Sequence, residues 1–244
     1  MYQQSDPNKT KYIAKHVREG SNELAIHEYL QSRQSQSPYI ISLIEAVPST
    51  TREWLILPKL YSIRSQWPLG KRGIAGRVQL GWGLIKGLAY LHEHKIAHRD
   101  IKPGNLVRDR DFNLKIIDFD IAIKVEDENT EINGYWGTEG WTAPEIGKED
   151  GPTVTMYSPI KADRWSCGSV ILHHILAGFE KGDHRFLSLL DFANQLMAND
   201  PQQRPSCLAW QAFLAPPLTV THDREDMKPP GAKKRRIESK LVQS

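Results

Sequence analysis

Apolar positions along this chain follow two different periods, and the switch between them divides it. Residues 11–17, with Tyr12, Ile13, Ala14 and Val17, form a short run rich in strand formers. Residues 21–31 change to helical spacing, with Leu24, Ile26, His27 and Leu30 near one face and Ser21 or Asn22 available as a cap. After a polar loop over 31–38, residues 39–47 and 54–57 again favour strands, and Pro58 marks the end of the second.

From there the helical period dominates. Val78, Trp82, Ile85, Leu88, Ala89 and His92 predict a long helix over 74–92. Gly76, Gly81, Gly83 and Gly87 count against it by about 1 kcal/mol each, so such a helix needs tertiary packing to hold it. Leu106 and Val107, a polar turn over 108–113, and an apolar run over 114–117 predict a β-hairpin. Residues 161–177 predict a buried helix stopped by Gly178, and 187–197 an amphipathic one. Strands early and helices late point to an α+β arrangement in two lobes. The divisions expected are a disordered start (1–10), a partial small lobe and hinge (11–60), a helical large lobe (61–215) and a disordered tail (216–244).

Composition narrows the class. With 39% apolar and 25% charged residues, the 244-residue chain is an ordinary globular one. Its two cysteines, Cys167 and Cys207, do not make a disulfide framework or a cysteine zinc site. No run approaches the roughly 20 apolar residues of a membrane helix; the longest, over 169–179, is interrupted by His173 and His174. The net charge of +3 is uneven. Lys228, Lys233, Lys234, Arg235, Arg236 and Lys240 face one acid in the last 17 residues, which leaves the body at −2. A chain-wide nucleic-acid footprint is therefore not expected. The run 233–236 is either a nuclear localisation signal or a solvated tail. The compartment expected is cytoplasmic or nuclear, with no membrane and no direct nucleic-acid partner, and the chain is expected to be a monomer.

The chemistry concentrates around the hairpin. His98-Arg99-Asp100-Ile101-Lys102-Pro103-Gly104-Asn105 precedes it, and Asp118-Phe119-Asp120 follows it. A hairpin returns its two ends to one place. Carboxylates and an amide oxygen are hard ligands suited to Mg²⁺, a lysine suits a phosphate, and a spare carboxylate can accept a hydroxyl proton. These parts fit phosphoryl transfer.

These segments resemble the catalytic loop and metal-binding motif of the eukaryotic protein kinases. The likeness continues in order through Gly137-Thr138-Glu139-Gly140-Trp141, Ala143-Pro144-Glu145, Asp163-Arg164-Trp165-Ser166-Cys167-Gly168 and Arg204-Pro205-Ser206. It implies a bilobal kinase-like fold with an incomplete small β lobe and a mainly helical large lobe. It implies Asp100 as catalytic base, Lys102 on the transferring phosphate, and Asn105 and Asp118 as Mg²⁺ ligands. Lys102 and Thr138 resemble the Ser/Thr branch. Lys15 would grip the ATP phosphates, with Glu23 as its helix partner and Glu28 as the rival. Leu57 would abut the adenine, and Pro58, Lys59 and Leu60 would form the hinge, with the Pro58 carbonyl and the Leu60 N–H free for the base. Glu145 would pair with Arg204. The expected partners are ATP and a protein substrate.

The sequence departs from the family in two places. Fourteen residues precede Lys15 and none is glycine, so the glycine-rich phosphate loop is not built from them. This predicts an exposed sheet edge, with weaker nucleotide binding and lower stability than in a complete relative. Asp120 stands where the family has glycine, which adds a negative charge near bound phosphates and makes the backbone less free to flip. The rival reading is therefore a pseudokinase or kinase fragment acting as a binding or scaffold module. Finally, the acids Glu126, Asp127, Glu128 and Glu131 are expected to pair with Arg99 where relatives use a phosphate, and Thr130 is the candidate phosphosite.

Overall fold

The computed structural model describes residues 11–49, 53–64, 73–147 and 156–214. The expected start (1–10), the tail from 216 and the basic run 233–236 lie outside them. The first lobe holds β1 (Tyr12–His16), α1 (Glu23–Gln31), β2 (Glu45–Val47) and β3 (Trp54–Pro58). Its antiparallel sheet runs β1-β3-β2, with Lys15 opposite Leu55 and Tyr12 opposite Pro58. On α1, Glu23, Ile26, His27 and Leu30 are buried; of the face predicted from periodicity, Ile26, His27 and Leu30 pack fully and Leu24 is half-buried.

The apolar run 39–47 is strand only at its end, because its first part stitches the two lobes together instead. The Ile116 N–H donates to the Tyr39 carbonyl (2.8 Å), and the Ile41 N–H to the Ile116 carbonyl (3.1 Å). Ile44 then bonds to Ile56 in the small sheet (2.9 Å).

The second lobe starts with β4 (Tyr61–Ser62) and α2 (Gly73–Glu93), followed by β5 (Ile96–Ala97). The hairpin β6 (Leu106–Arg108) and β7 (Leu114–Ile116) forms a sheet in the order β4-β6-β7, and β8 (Ile123–Lys124) pairs with β5. Three helices complete the lobe: α3 (Pro159–Val170), α4 (His184–Leu196) and α5 (Trp210–Leu214).

The glycines of α2 mark where other elements come closest. A Cβ on Gly87 would stand 2.9 Å from Ile116 Cδ1 and 3.2 Å from the Tyr39 carbonyl oxygen, and one on Gly83 would lie 3.0 Å from Leu114 Cβ. The propensity lost at these positions is the condition for laying β7 against α2.

The predicted helix 161–177 begins earlier, at Pro159, because Ser158 caps it by accepting the Lys161 N–H (3.2 Å). It then widens into a π turn over Ile171–Ile175 and ends before Gly178, whose φ is +79°. One large apolar core joins α1, the sheets, α2, α3 and α4. A second, small cluster of Ala143, Ile146, Tyr157 and Ala162 lies where the chain enters α3.

Candidate active site

Buried Asp163 at the start of α3 organises the loop after β5. Its carboxylate accepts the backbone N–H groups of His98 (2.6 Å) and Arg99 (2.8 Å). Nε2 of His92 also lies against it, at 3.3 Å. Burial alone would lower the His92 pKa, but Asp163 and the Cys207 thiol hold it above the ordinary value. His98 is fully buried and joins the two functional loops. Its Nδ1 accepts the Asp100 N–H (3.2 Å), so its Nε2 carries the proton donated to the Ile117 carbonyl (3.0 Å). The Ile117 N–H donates in turn to the Asn105 carbonyl (3.0 Å). These bonds hold Arg99 and Asp118 in the left-handed region, at φ +65° and +69°, a conformation non-glycine residues keep only when their surroundings over-determine it.

Asp100 is the centre of a closed polar group. Its Oδ2 accepts from Lys102 Nζ (2.7 Å) and Asn105 Nδ2 (2.8 Å), and its Oδ1 accepts from the Thr138 hydroxyl (2.7 Å). Lys102 Nζ also donates to the Thr138 oxygen (2.7 Å). Asn105 gives its amide hydrogens to the Asp100 side chain and carbonyl.

Lys15 meets two carboxylates, Glu23 Oε1 at 2.8 Å and Asp118 Oδ1 at 2.7 Å. Glu28, the rival partner, is exposed. Burial would lower the Lys15 pKa, but the two carboxylates raise it above its ordinary value. The carboxylates diverge. Burial pushes Glu23 up in spite of Lys15, whereas at Asp118 the Lys15 ammonium overcomes burial and brings the pKa down. Hard oxygens from Asp118 and Asn105, on loops tied by the Ile117–Asn105 bond, make a donor set that fits Mg²⁺. Among the described residues there is no cluster of three His, Cys, Asp or Glu able to hold a metal without such a mixed set.

The charge expectation at Arg99 is corrected, and Asp120 has a partner of its own. Asp120 Oδ2 pairs with Arg18 Nε at 3.1 Å, and its carbonyl accepts the Ser21 hydroxyl (3.1 Å). Ser21 Oγ accepts the Glu23 N–H (3.1 Å) at the start of α1, but the Asn22 side chain makes no capping bond there: its Nδ2 reaches the Ala122 carbonyl instead (3.2 Å). Arg99 takes none of the expected acids. Its guanidinium lies 4.3 Å from the Trp136 ring centroid, and its Nε donates to the Ile121 carbonyl (2.6 Å). Glu128 pairs instead with buried Arg164. No periodicity announces these partners, because they lie far apart in sequence.

Leu57 is buried in β3, with Pro58 and Leu60 half-buried after it. The Lys59 N–H bonds to the Lys11 carbonyl (2.7 Å). Arg204 holds Glu145 with both ends of its fork, at 2.6 and 2.8 Å.

The sequence profile described as protein kinase domain matches residues 4–182. Mitogen-activated protein kinase kinase 8 of Arabidopsis thaliana is 32% identical over 173 residues, covering 69% of this chain and 55% of that protein. A CBL-interacting protein kinase of Oryza sativa subsp. japonica is 30% identical over 160 residues, 63% of this chain and 34% of its own. A probable LRR receptor-like serine/threonine-protein kinase of Arabidopsis is 36% identical over 183 residues, 72% of this chain and 15% of its own. The chain belongs to the protein kinase family. It spans between 15% and 55% of the length of these three proteins. No helix among the described residues is long and apolar enough to cross a membrane.

Proposed function

We propose that this chain transfers the γ-phosphoryl group of Mg·ATP to a serine or threonine hydroxyl of a protein. The observation that carries this reading is the hydroxyl of Thr138, which donates to Asp100 at 2.7 Å and accepts from Lys102 at 2.7 Å. A substrate hydroxyl beside it meets a base and a cation together. Asp100 accepts the hydroxyl proton as the substrate oxygen bonds to phosphorus and ADP leaves. Lys102 balances the charge on the transferring phosphoryl oxygens. Asn105 and Asp118 would hold the Mg²⁺, which supplies charge neutralisation at the phosphates. Lys15, fixed by Glu23, would hold the α and β phosphates. Leu57 would cover the adenine, and the Pro58 carbonyl and Leu60 N–H would bond its edge.

The pairing of Asp120 with Arg18 supports the reading, since it gives the extra carboxylate a cation of its own. Transfer of labelled γ-phosphate to a generic protein substrate, lost in Asp100→Asn, tests the reading. A folded chain with neither transfer nor a nucleotide-dependent thermal shift would favour the binding or scaffold module instead.

A further inference from the structure

Two cations with almost no exposure, Lys161 and Arg164, stand on the first turns of α3, outside the catalytic group. Each takes one of its partners from the segment that follows the metal motif. Arg164 pairs with the Glu128 carboxylate and donates to the Arg204 carbonyl (3.3 Å). Lys161 Nζ donates to Asn129 Oδ1 (2.8 Å) and Gln202 Oε1 (2.6 Å). The Ser158 hydroxyl donates to the Glu128 carbonyl (2.6 Å). A buried guanidinium without an anion is strongly unfavourable, so Arg164 sets where residue 128 must lie.

The fastening continues toward the substrate side. Ile132 and Tyr157 exchange both backbone bonds (2.9 and 3.0 Å), beside the small apolar cluster of Ala143, Ile146 and Ala162. Trp136 then lies on Arg99, and Thr138 on Asp100.

Thr130 sits in the turn between these fastenings. Its Oγ1 accepts the Asp127 N–H (3.1 Å), and Asp127 Oδ1 accepts the Asn129 N–H (2.7 Å). A phosphate there would add about −2 of charge beside Asp127, Glu128 and Glu131 while Lys161 and Arg164 are already engaged. It would oppose the turn, not order it.

We propose that Glu128, acting through Arg164, is a positioning residue that holds residues 126–142 in their substrate-receiving arrangement in the unmodified chain. The functional half of this rests on the kinase reading; the anchoring half does not. Arg164 holds the Glu128 carboxyl below its ordinary pKa against the opposing effect of burial.

The test uses the full chain, freed of phosphate by a phosphatase and checked by mass. Amide exchange over 126–142 and steady-state transfer are measured for the wild type, Glu128→Ala and Glu128→Asp. Glu128→Ala is expected to speed exchange over 126–142 by about ten-fold while α2 and α4 exchange as before. KM for the protein substrate should rise by about ten-fold with KM for ATP within about two-fold, and Glu128→Asp should recover part of both. Arg164→Met, which removes the buried charge at similar volume, should fold and show the same local increase. Thr130→Ala should behave as wild type.

Unchanged exchange in Glu128→Ala would overturn the proposal. So would an unmodified wild type that transfers only after phosphorylation of Thr130. Faster local exchange in Glu128→Ala, with no transfer by any form, would sustain the anchor and reject the kinase reading.

Discussion

Lys15 and Glu23 stand eight residues apart, on a strand and on the helix after it, and their side chains meet at 2.8 Å. The pair is asymmetric, since Glu23 is fully buried while the Lys15 side chain keeps about a third of its exposure. Asp118 completes the group from the opposite lobe at 2.7 Å.

Lys15→Met leaves two carboxylates facing each other without a cation. It should destabilise the chain by about 2 kcal/mol, discounted for the exposure of the ammonium. It should also lower transfer by about 100-fold or more. Glu23→Gln removes a charge that burial already disfavours and should leave stability within about 1 kcal/mol of wild type. It should still lower transfer, because Lys15 loses its guide. Denaturant unfolding and kinetics of the two variants separate these effects.

Asp120 joins the residues after Asp118 to the approach to α1, through Arg18 at 3.1 Å and Ser21 at 3.1 Å. Arg18 is largely exposed, so the ion pair is a weak one. Asp120→Gly and Arg18→Ala should each raise KM for ATP by about two- to five-fold, and the double variant should be no worse than either alone. An additive double variant would show that the two residues act separately.

His27 packs edge-on against Phe119 at 5.1 Å, where burial, assisted by the Lys15 charge, lowers its pKa from 6.5 to about 4. The unfolded chain therefore binds the extra proton first. Stability from this site is complete above pH 6.5 and is lost as pH falls from there toward 4, by about 3 kcal/mol in all. His27→Leu should flatten that part of the stability profile, read by thermal denaturation between those limits. A wild-type slope retained in the variant would remove His27 as its source.

Gly168 is where α3 touches α4. An added Cβ would stand 2.6 Å from the Ala193 carbonyl oxygen and 2.7 Å from Met197 Cγ. Gly168→Ala should cost about 1–3 kcal/mol. Gly81→Ala meets only the end of the Leu189 side chain at 2.5 Å, which can turn. Its cost should be smaller, because alanine returns up to about 1 kcal/mol of helix propensity. Melting temperatures of the two variants test the ranking.

What could be read in the sequence was whatever is local or carried by a run of motifs. The face of α1, the hairpin around 106–116 and the Asp100 group follow from periodicity and order. The helix α2 was legible in spite of its glycines, but their purpose was not, since it depends on how closely Tyr39, Leu114 and Leu189 approach. The same holds for charge. The acids at 126–131 were evident, yet nothing local distinguishes Arg99 from Arg164 as the partner of Glu128. Burial decides it: Arg99 is covered by Trp136, while Arg164 is left inside with a charge to satisfy. Asp120 likewise shows in the sequence only as a charge near phosphates; that Arg18, two residues beyond β1, lies beside it is a matter of tertiary placement.

The most direct test of the central claim is transfer of labelled γ-phosphate from ATP to a generic protein substrate with Mg²⁺, wild type beside Asp100→Asn. The arrangement of Asp100, Lys102, Asn105 and Thr138 predicts transfer by the wild type and none above background by the variant, with both equally folded. Equal transfer by the two proteins, or none from a folded wild type, would contradict it.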